Sequence, residues 1–231
     1  MEFSGKKVTV VGTGISGIGA VGLLNAVGAE VVLYDGNEKL KIEDIEKKLG
    51  TYKAEIVLGE LTKELTDSSD LLVISPGVPI DSPVVKAFEA AGVPVWGEVE
   101  LAYAFDKGKV LAITGTNGKT TTTALVGQIV GAYHKDTFVV GNIGNPYTTE
   151  VLKSNKDSYT VAEISSFQLE TVHEFHPLVS AILNITPDHL NRHYTMDCYV
   201  QTKEKIAMNQ KGSEVCVLNF DDDYLREFGE H

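Results

Sequence analysis

The chain has 231 residues, with 20 Lys and Arg against 32 Asp and Glu, so its formal charge at pH 7 is −12. This length suits one large or two ordinary domains, and the acidic balance argues against nucleic acid or an anionic membrane as a partner. No run approaches the ~20 apolar residues that span a bilayer, and two cysteines without metal-ligand spacing predict a reducing, cytoplasmic setting.

The first part of the chain alternates apolar strands with helices. The predicted strands are Lys7–Val11, Glu30–Asp35, Glu55–Leu58, Leu71–Ser75 and Pro94–Trp96. The predicted helices are Ser16–Val27, Ile42–Leu49 and about Ser82–Ala91, followed by a helical connector within Gly97–Gly108. This alternation is typical of a parallel sheet with crossover helices. It predicts a Rossmann-like first domain over residues 1–105.

The turn after the first strand reads Gly12-Thr13-Gly14-Ile15-Ser16-Gly17, and Asp35 ends the next strand. This pattern matches a dinucleotide fingerprint. Alone it indicates NAD, although the geometry serves any pyrophosphate-bearing nucleotide, and glycines used only for strand–helix packing are a further alternative. The loop Ser75-Pro76-Gly77 follows another strand of the same sheet. Because ligands lie at the carboxyl ends of parallel strands, it is a candidate second wall of the pocket.

The second part of the chain predicts another α/β domain, residues 106–231. Its predicted strands are Lys109–Thr114, Thr137–Val140, Tyr159–Ile164, Ser180–Ile185 and Glu214–Asn219, with helices at 121–132 and 196–208 between them. The strands are nearly continuous apolar runs, as expected where both faces of a sheet are covered. No closing element is predicted after Asn219, so this domain is expected to be incomplete and the chain a fragment.

A phosphate-binding loop follows the strand Lys109–Thr114. Its backbone N–H groups and the following helix N-terminus would point at an anion. Lys119 would reach the terminal phosphates and the Thr120 hydroxyl would contact Mg²⁺, although Ile113 replaces the usual first glycine. The alternative is a surface turn before a helix. The predicted nucleotide-binding residues are Gly115, Thr116, Asn117, Gly118, Lys119, Thr120 and Thr121.

Three further polar positions follow strands of the second domain. Glu163 ends a strand expected to run parallel to the phosphate-loop strand, where a carboxylate can hold Mg²⁺. The segment Asn184–His193 carries two histidines, an aspartate and an arginine just past another strand, which points to a metal or anion site. Taken alone, Lys203 is expected to be a solvated surface lysine.

These residues together resemble the Mur ligases, ATP-dependent amide ligases of peptidoglycan precursor synthesis. The resemblance runs from Lys6 to about Asp223, and its most discriminating part is the string Ser165-Ser166-Phe167-Gln168-Leu169-Glu170. It implies a Rossmann-like domain that binds a UDP-linked substrate, followed by the front part of a P-loop ATPase domain. The rest of that domain and a C-terminal domain would be absent.

The resemblance also implies roles for particular residues. The fingerprint would bind the uridine diphosphate of the substrate rather than NAD, and Lys203 would be carbamylated, which turns an ammonium into an anionic oxygen donor for Mg²⁺. The implied catalytic residues are Lys119, Asn142, His189 and Lys203. The implied metal ligands are Thr120, Glu163, His189 and Lys203. The implied substrate-binding residues are Gly14, Ile15, Ser16, Asp35, Ser75, Pro76, Gly77, Asn142, Ser165, Gln168 and His189.

The activity implied by the resemblance is the joining of D-glutamate to UDP-N-acetylmuramoyl-L-alanine through an acyl phosphate, with ATP and Mg²⁺. The fragment alone is expected to be inactive, because the D-glutamate site would lie in the absent part. Two alternatives stay open at this point. The fingerprint alone fits an NAD-dependent dehydrogenase, and both turns together fit a non-catalytic nucleotide-binding module.

Overall fold

The computed structural model describes residues 2–230 and contains two five-stranded parallel sheets. The first sheet is built from residues 7–97 and the second from residues 109–218. Both are covered by helices on their two faces, which explains why their strands read as apolar runs. The Rossmann-like parallel-sheet unit followed by a second α/β unit is therefore confirmed.

The first unit follows the predicted order of elements. Its strands are β1 (Lys7–Val11), β2 (Glu30–Asp35), β3 (Glu55–Leu58), β4 (Leu71–Ile74) and β5 (Val95–Gly97). Its helices are α1 (Ile15–Ala26), α2 (Ile42–Leu49), α3 (Lys63–Ser68), α4 (Pro83–Ala90) and α5 (Glu98–Tyr103). The sheet order is β3-β2-β1-β4-β5, so the order reverses between β1 and β4. The carboxyl ends of these two strands open the crevice where ligands bind in such sheets.

The second unit repeats this plan with different connections. Its strands are β6 (Lys109–Thr114), β7 (Thr137–Gly141), β8 (Tyr159–Glu163), β9 (Val179–Ile182) and β10 (Val215–Leu218). Its helices are α6 (Lys119–Tyr133), α7 (Tyr147–Glu150), α8 (Ser166–Leu169), α9 (Leu190–His193), α10 (Met196–Glu204) and α11 (Asp223–Glu230). The order β10-β9-β6-β8-β7 places the phosphate-loop strand β6 between β8 and β9. Three loops that carry candidate site residues therefore leave the sheet side by side.

The expectation that nothing closes the second unit after Asn219 is wrong. Helix α11 begins at Asp223 and packs beside β10, with Leu225 fully buried and Phe228 against the same core. The amphipathic spacing of Leu225 and Phe228 was a signal for this helix in the sequence. Helix α3 is a second element that the sequence reading omitted.

The two units touch through helices and share one apolar core cluster. A Cβ placed on Gly19 of α1 would lie 2.6 Å from the Thr148 hydroxyl of α7, so a glycine is needed where these helices cross. Nearby, the buried Glu98 carboxylate accepts the Tyr147 backbone N–H at 3.3 Å. Among residues 2–230, no helix is long and apolar enough to cross a membrane.

Candidate functional site

The fingerprint turn lies at the reversal point of the first sheet. Gly12 has φ +105°, and a Cβ on Gly17 would lie 1.9 Å from the Gly12 carbonyl oxygen, so both positions require glycine for the turn itself. A Cβ on Gly14 would meet nothing within 4 Å. The fold does not need a glycine at Gly14, but close approach of a phosphate to the backbone would. Ile15 beside it is 72% exposed.

Asp35 and the Ser75 loop border the same turn. The Thr13 hydroxyl donates to Asp35 Oδ2 at 3.1 Å, which joins the turn to the end of β2. Ser75 follows β4, and its Oγ would lie 2.7 Å from a Cβ on Gly12. That Oγ is buried and has no hydrogen-bond partner in the part of the chain that the structure describes. The structure therefore brings the fingerprint, Asp35 and Ser75 together around one crevice.

The phosphate loop joins β6 to α6 and is fixed by the loop that follows β9. The Thr116 backbone N–H donates to the Asn184 carbonyl oxygen at 2.9 Å, and the Asn117 N–H donates to Asn184 Oδ1 at 2.9 Å. The Thr116 hydroxyl accepts the Thr186 N–H at 3.0 Å. Gly118 caps α6 in the left-handed region at φ 82°. The loop is thus preorganised by residues 70 positions away.

Two lysines converge on this loop. Lys119 Nζ donates to the Gly115 and Thr116 carbonyl oxygens at 3.0 and 2.9 Å. Lys203 Nζ, from α10, donates to the same Gly115 carbonyl oxygen at 2.9 Å. Among the residues described, neither lysine forms an ion pair. The Lys119 ammonium therefore provides a positive charge that a phosphate would neutralise.

Lys203 is not the solvated lysine that its sequence position alone suggested. Its side chain is 1% exposed, and its Nζ lies 4.6 Å from the centre of the Tyr199 ring. Burial, together with a smaller effect from the charge of Lys119, lowers the pKa of Lys203 from 10.5 to about 7, although Asp188 acts in the opposite direction. Near neutral pH a large fraction of this amine is therefore uncharged, which is the form that reacts with electrophiles.

Asn142 and Glu163 form a second polar group beside the loop. Asn142 Nδ2 donates to Glu163 Oε1 at 2.8 Å, and its backbone N–H donates to the Glu163 carbonyl oxygen at 2.9 Å. A Cβ on Gly141 would lie 2.1 Å from that carbonyl oxygen, which explains a glycine at the end of β7. Glu163 is 1% exposed, and β8 pairs it with Ile113 of β6, as its predicted parallel strand requires.

The other predicted residues are arranged differently. Ser165 and Gln168 form a capping box at the start of α8: Ser165 N–H donates to Gln168 Oε1 at 2.9 Å, and Gln168 N–H donates to Ser165 Oγ at 3.3 Å. Thr120 and Thr121 are exposed in the first turn of α6. The His189 ring packs at a tilt of 54° against Phe167, with 4.8 Å between ring centres, and no hydrogen bond or ion pair within residues 2–230 joins it to Glu163 or Lys203.

A divalent cation fits one part of this arrangement. Within residues 2–230, Glu163 Oε2 is buried without a hydrogen-bond partner, and so is the Thr114 hydroxyl at the start of the loop. An unpaired buried carboxylate oxygen is costly unless a cation or a water completes it. Residues 2–230 contain no group of three or more His, Cys, Asp or Glu placed to hold a metal. The implied ligand set has only two residues of those types, Glu163 and His189.

The sequence analysis included Asn184 and Thr186 in the segment Asn184–His193 but missed their role in holding the phosphate loop. Asn184 and Thr186 fix the phosphate loop, and the Tyr199 hydroxyl lies 3.1 Å from Thr116 Oγ1. The available signal was the position of Asn184 just past a strand, but its pairing with the phosphate loop depends on β9 lying next to β6. That strand order is not contained in the local sequence.

Two protein-family models match consecutive parts of the chain. A model described as the Mur ligase middle domain matches residues 113–231, which is more than half of the chain. The chain belongs to the Mur ligase family. A second model, described as the N-terminal domain of MurD-like Mur ligases, matches residues 6–97 of this Mur ligase.

Curated relatives match this Mur ligase along nearly its whole length. A protein of Lachnospira eligens is 69% identical over 99% of the chain, and one of Lachnoclostridium phytofermentans is 58% identical over 98%. A Clostridioides difficile protein is 44% identical over 100% of the chain. All three are named UDP-N-acetylmuramoylalanine–D-glutamate ligase. The chain spans about half the length of these relatives, 51%, 50% and 51% respectively.

Solved structures show the same fold. The UDP-N-acetylmuramate:L-alanyl-γ-D-glutamyl-meso-diaminopimelate ligase of Neisseria meningitides superposes with a TM-score of 0.62 at 16% identity, covering 98% of this Mur ligase and 75% of that chain. A murein peptide ligase of Psychrobacter arcticus gives a TM-score of 0.57 at 17% identity, covering 96% of this chain and 51% of that one. At these identities the likeness concerns the fold alone.

Proposed function

We propose that this chain is the sugar-nucleotide-binding and phosphate-binding half of an ATP-dependent ligase that adds D-glutamate to UDP-N-acetylmuramoyl-L-alanine. In this proposal, residues 1–105 bind the UDP-linked substrate and residues 106–231 bind ATP. The observation that supports the phosphate site is the glycine-bearing loop at the N-terminus of α6, with Lys119 Nζ at the Gly115 and Thr116 carbonyl oxygens. The relatives' names supply the substrates.

The proposed reaction has two steps. The alanyl carboxylate of the UDP-linked substrate attacks the γ-phosphorus of ATP, which forms an acyl phosphate and releases ADP. The amine of D-glutamate then attacks the acyl carbon, loses a proton and displaces inorganic phosphate, which forms the amide bond. Such transfers depend on positioning and on neutralising charge at the phosphates.

The residues of this chain would divide that work. The open backbone at Gly14, together with Ile15, Ser16 and Asp35, would hold the uridine diphosphate, and Ser75, Pro76 and Gly77 would close the crevice. The loop amides, including those of Thr120 and Thr121, would cradle the ATP phosphates, with Lys119 at their terminal oxygens. Ser165, Gln168 and Asn142 would border the alanyl end of the substrate.

Mg²⁺ belongs to the same proposal. Glu163, with its unpaired Oε2, would be a direct ligand, and Thr120, His189 and a carbamylated Lys203 would complete the set. When bound, the ion would neutralise charge on the phosphate oxygens. The lowered pKa of Lys203 supports its carbamylation, because a neutral amine is the form that attacks CO₂. A cytoplasmic location is also proposed, in line with the two free thiols.

A chimeric ligase tests the proposal. Residues 1–231 would be fused to the following half of the Lachnospira eligens relative, which is 69% identical over the shared part. We expect ADP release and amide formation with ATP, Mg²⁺, UDP-N-acetylmuramoyl-L-alanine and D-glutamate, and no turnover in the chimera that carries Lys119→Ala. A folded chimera that forms no amide, alongside an active relative, would contradict the proposal.

A further inference from the structure

The turn that carries His189 has an unusual backbone. Helix α9 is flanked by His189 at φ 52° and Tyr194 at φ 67°, and these are the non-glycine residues with positive φ among those described. Left-handed backbone is unfavourable for side chains with a Cβ, and it persists only where the surrounding structure holds it in place. Something outside the turn must therefore hold it.

Arg192, inside this turn, makes the contacts that could do so. Its Nε donates to Glu170 Oε1 at 3.1 Å and its Nη2 to Glu170 Oε2 at 2.5 Å, so the pair is bidentate. The guanidinium also lies 4.8 Å from the centre of the Phe167 ring. The two side chains of the pair are only 11% and 5% exposed. A buried bidentate pair of this kind neutralises the two charges and also fixes the orientation of the Arg192 guanidinium.

The same guanidinium reaches into the first unit. Arg192 Nη2 donates to the Val78 carbonyl oxygen at 2.9 Å, and Val78 belongs to the loop Ser75–Pro79 that borders the fingerprint crevice. The Val78 N–H in turn donates to the Ser75 carbonyl oxygen at 2.9 Å. One arginine thus touches the loop of one sheet while it braces the turn of the other. A second link, from the Tyr194 hydroxyl to Asp81, is exposed.

We propose that Arg192 is a positioning residue that clamps the Ser75–Pro79 loop of the first unit to the His189 turn of the second. This inference rests on the proposed function, in which the loop and the turn are two walls of one substrate site. Arg192 itself is not assigned a contact with substrate. By holding both walls, it sets the distance between the part of the site that binds UDP and the part that binds the reacting alanyl end of the substrate.

Amide hydrogen exchange of the ligand-free 231-residue chain tests the clamp directly. In Arg192→Lys, which keeps the charge but loses the fork, exchange of the Val78 amide and of the His193 and Tyr194 amides should rise by about tenfold or more. Exchange in strand β6 should not change. The matched control is Arg226→Lys, which alters the exposed pair with Asp223 and should leave all these amides unchanged. An unchanged Val78 amide, or a rise spread over the whole chain, would overturn the proposal.

Binding to the same variants gives a second, independent readout. Arg192→Lys should weaken binding of UDP-N-acetylmuramoyl-L-alanine by about tenfold and binding of UDP by about threefold at most, because UDP contacts only the loop whereas the full substrate contacts both the loop and the turn. Tyr194→Phe, which removes only the exposed link, should change neither. Equal loss for both ligands would overturn the positioning role. A wild-type chain that binds neither ligand would refute the proposed function, whereas the exchange experiment would still decide the clamp.

Discussion

Replacing Glu100 by alanine should destabilise the chain more than any surface substitution. Glu100 lies on α5 and is 2% exposed. Its carboxylate accepts the backbone N–H groups of His173, Glu174 and Phe175 at 2.8, 2.7 and 3.2 Å. These three bonds fasten the end of the first unit to the segment between α8 and β9. Glu100→Ala removes all three of these bonds.

The size of this destabilisation depends on whether water can replace the carboxylate at each of the three N–H donors. Each buried N–H left unsatisfied costs about 1–3 kcal/mol. His173 and Glu174 are exposed enough for water to replace the carboxylate, whereas the Phe175 N–H is buried. We therefore expect the free energy of unfolding to fall by about 3 kcal/mol in Glu100→Ala. Glu100→Gln, which keeps one oxygen and the side-chain volume, should lose about half of that.

Urea denaturation measures this loss. Trp96, the single tryptophan, lies two residues before α5 and reports the first unit by fluorescence, while circular dichroism reports both units. The matched control is Glu46→Ala on the exposed side of α2, which should stay within about 0.5 kcal/mol of the parent. A loss below about 1 kcal/mol for Glu100→Ala, at an unchanged denaturant slope, would refute the reasoning.

Three further predictions concern the site. Lys119→Ala should lower the affinity for Mg²⁺-ATP by at least about tenfold while UDP binding changes less than about twofold, because the two turns belong to separate sheets; calorimetry checks both, and equal losses would contradict it. Lys203→Met should raise the free energy of unfolding at pH 7 by about 2 kcal/mol. Because the pKa of Lys203 is about 7 in the folded chain and 10.5 otherwise, only the unfolded chain carries this proton between about pH 7 and 10.5. The difference in the free energy of unfolding between Lys203→Met and the parent should therefore disappear as the pH rises through that window. Denaturation at several pH values in CO₂-free buffer checks this, and a pH-independent difference would count against it. Gly141→Ala should cost about 2 kcal/mol and weaken Mg²⁺-dependent binding, since its Cβ would lie 2.1 Å from the Glu163 carbonyl oxygen; Gly212→Ala, where a Cβ meets nothing within 4 Å, is the control.

The strands and the two nucleotide-binding turns were predictable because their signals are local. Apolar runs such as Val8–Val11 and the glycine spacing of Gly12 to Gly17 carry their meaning within a few residues. The turn geometry agrees with them, since Gly17 has no room for a Cβ. Helix α11 was not predicted, because its amphipathic pattern extends over only eight residues.

The surroundings of the site were harder to predict because they depend on strand order. Asn184 holds the phosphate loop only because β9 pairs with β6, and Lys203 is buried only because α10 packs over that loop. A lysine in a polar helix carries no local signal of burial. The inter-unit contacts of Arg192 and Glu100 likewise join residues more than 70 positions apart.

The titration that most directly tests the central claim compares two ligands on the unaltered 231-residue chain. UDP-N-acetylmuramoyl-L-alanine and NADH would each be titrated by calorimetry, since the fingerprint turn is compatible with either class of nucleotide. The account predicts binding of the UDP-linked substrate at least about tenfold tighter than NADH, because Ser75 and the Arg192-held loop close the crevice around a sugar nucleotide. Tighter binding of NADH would contradict it.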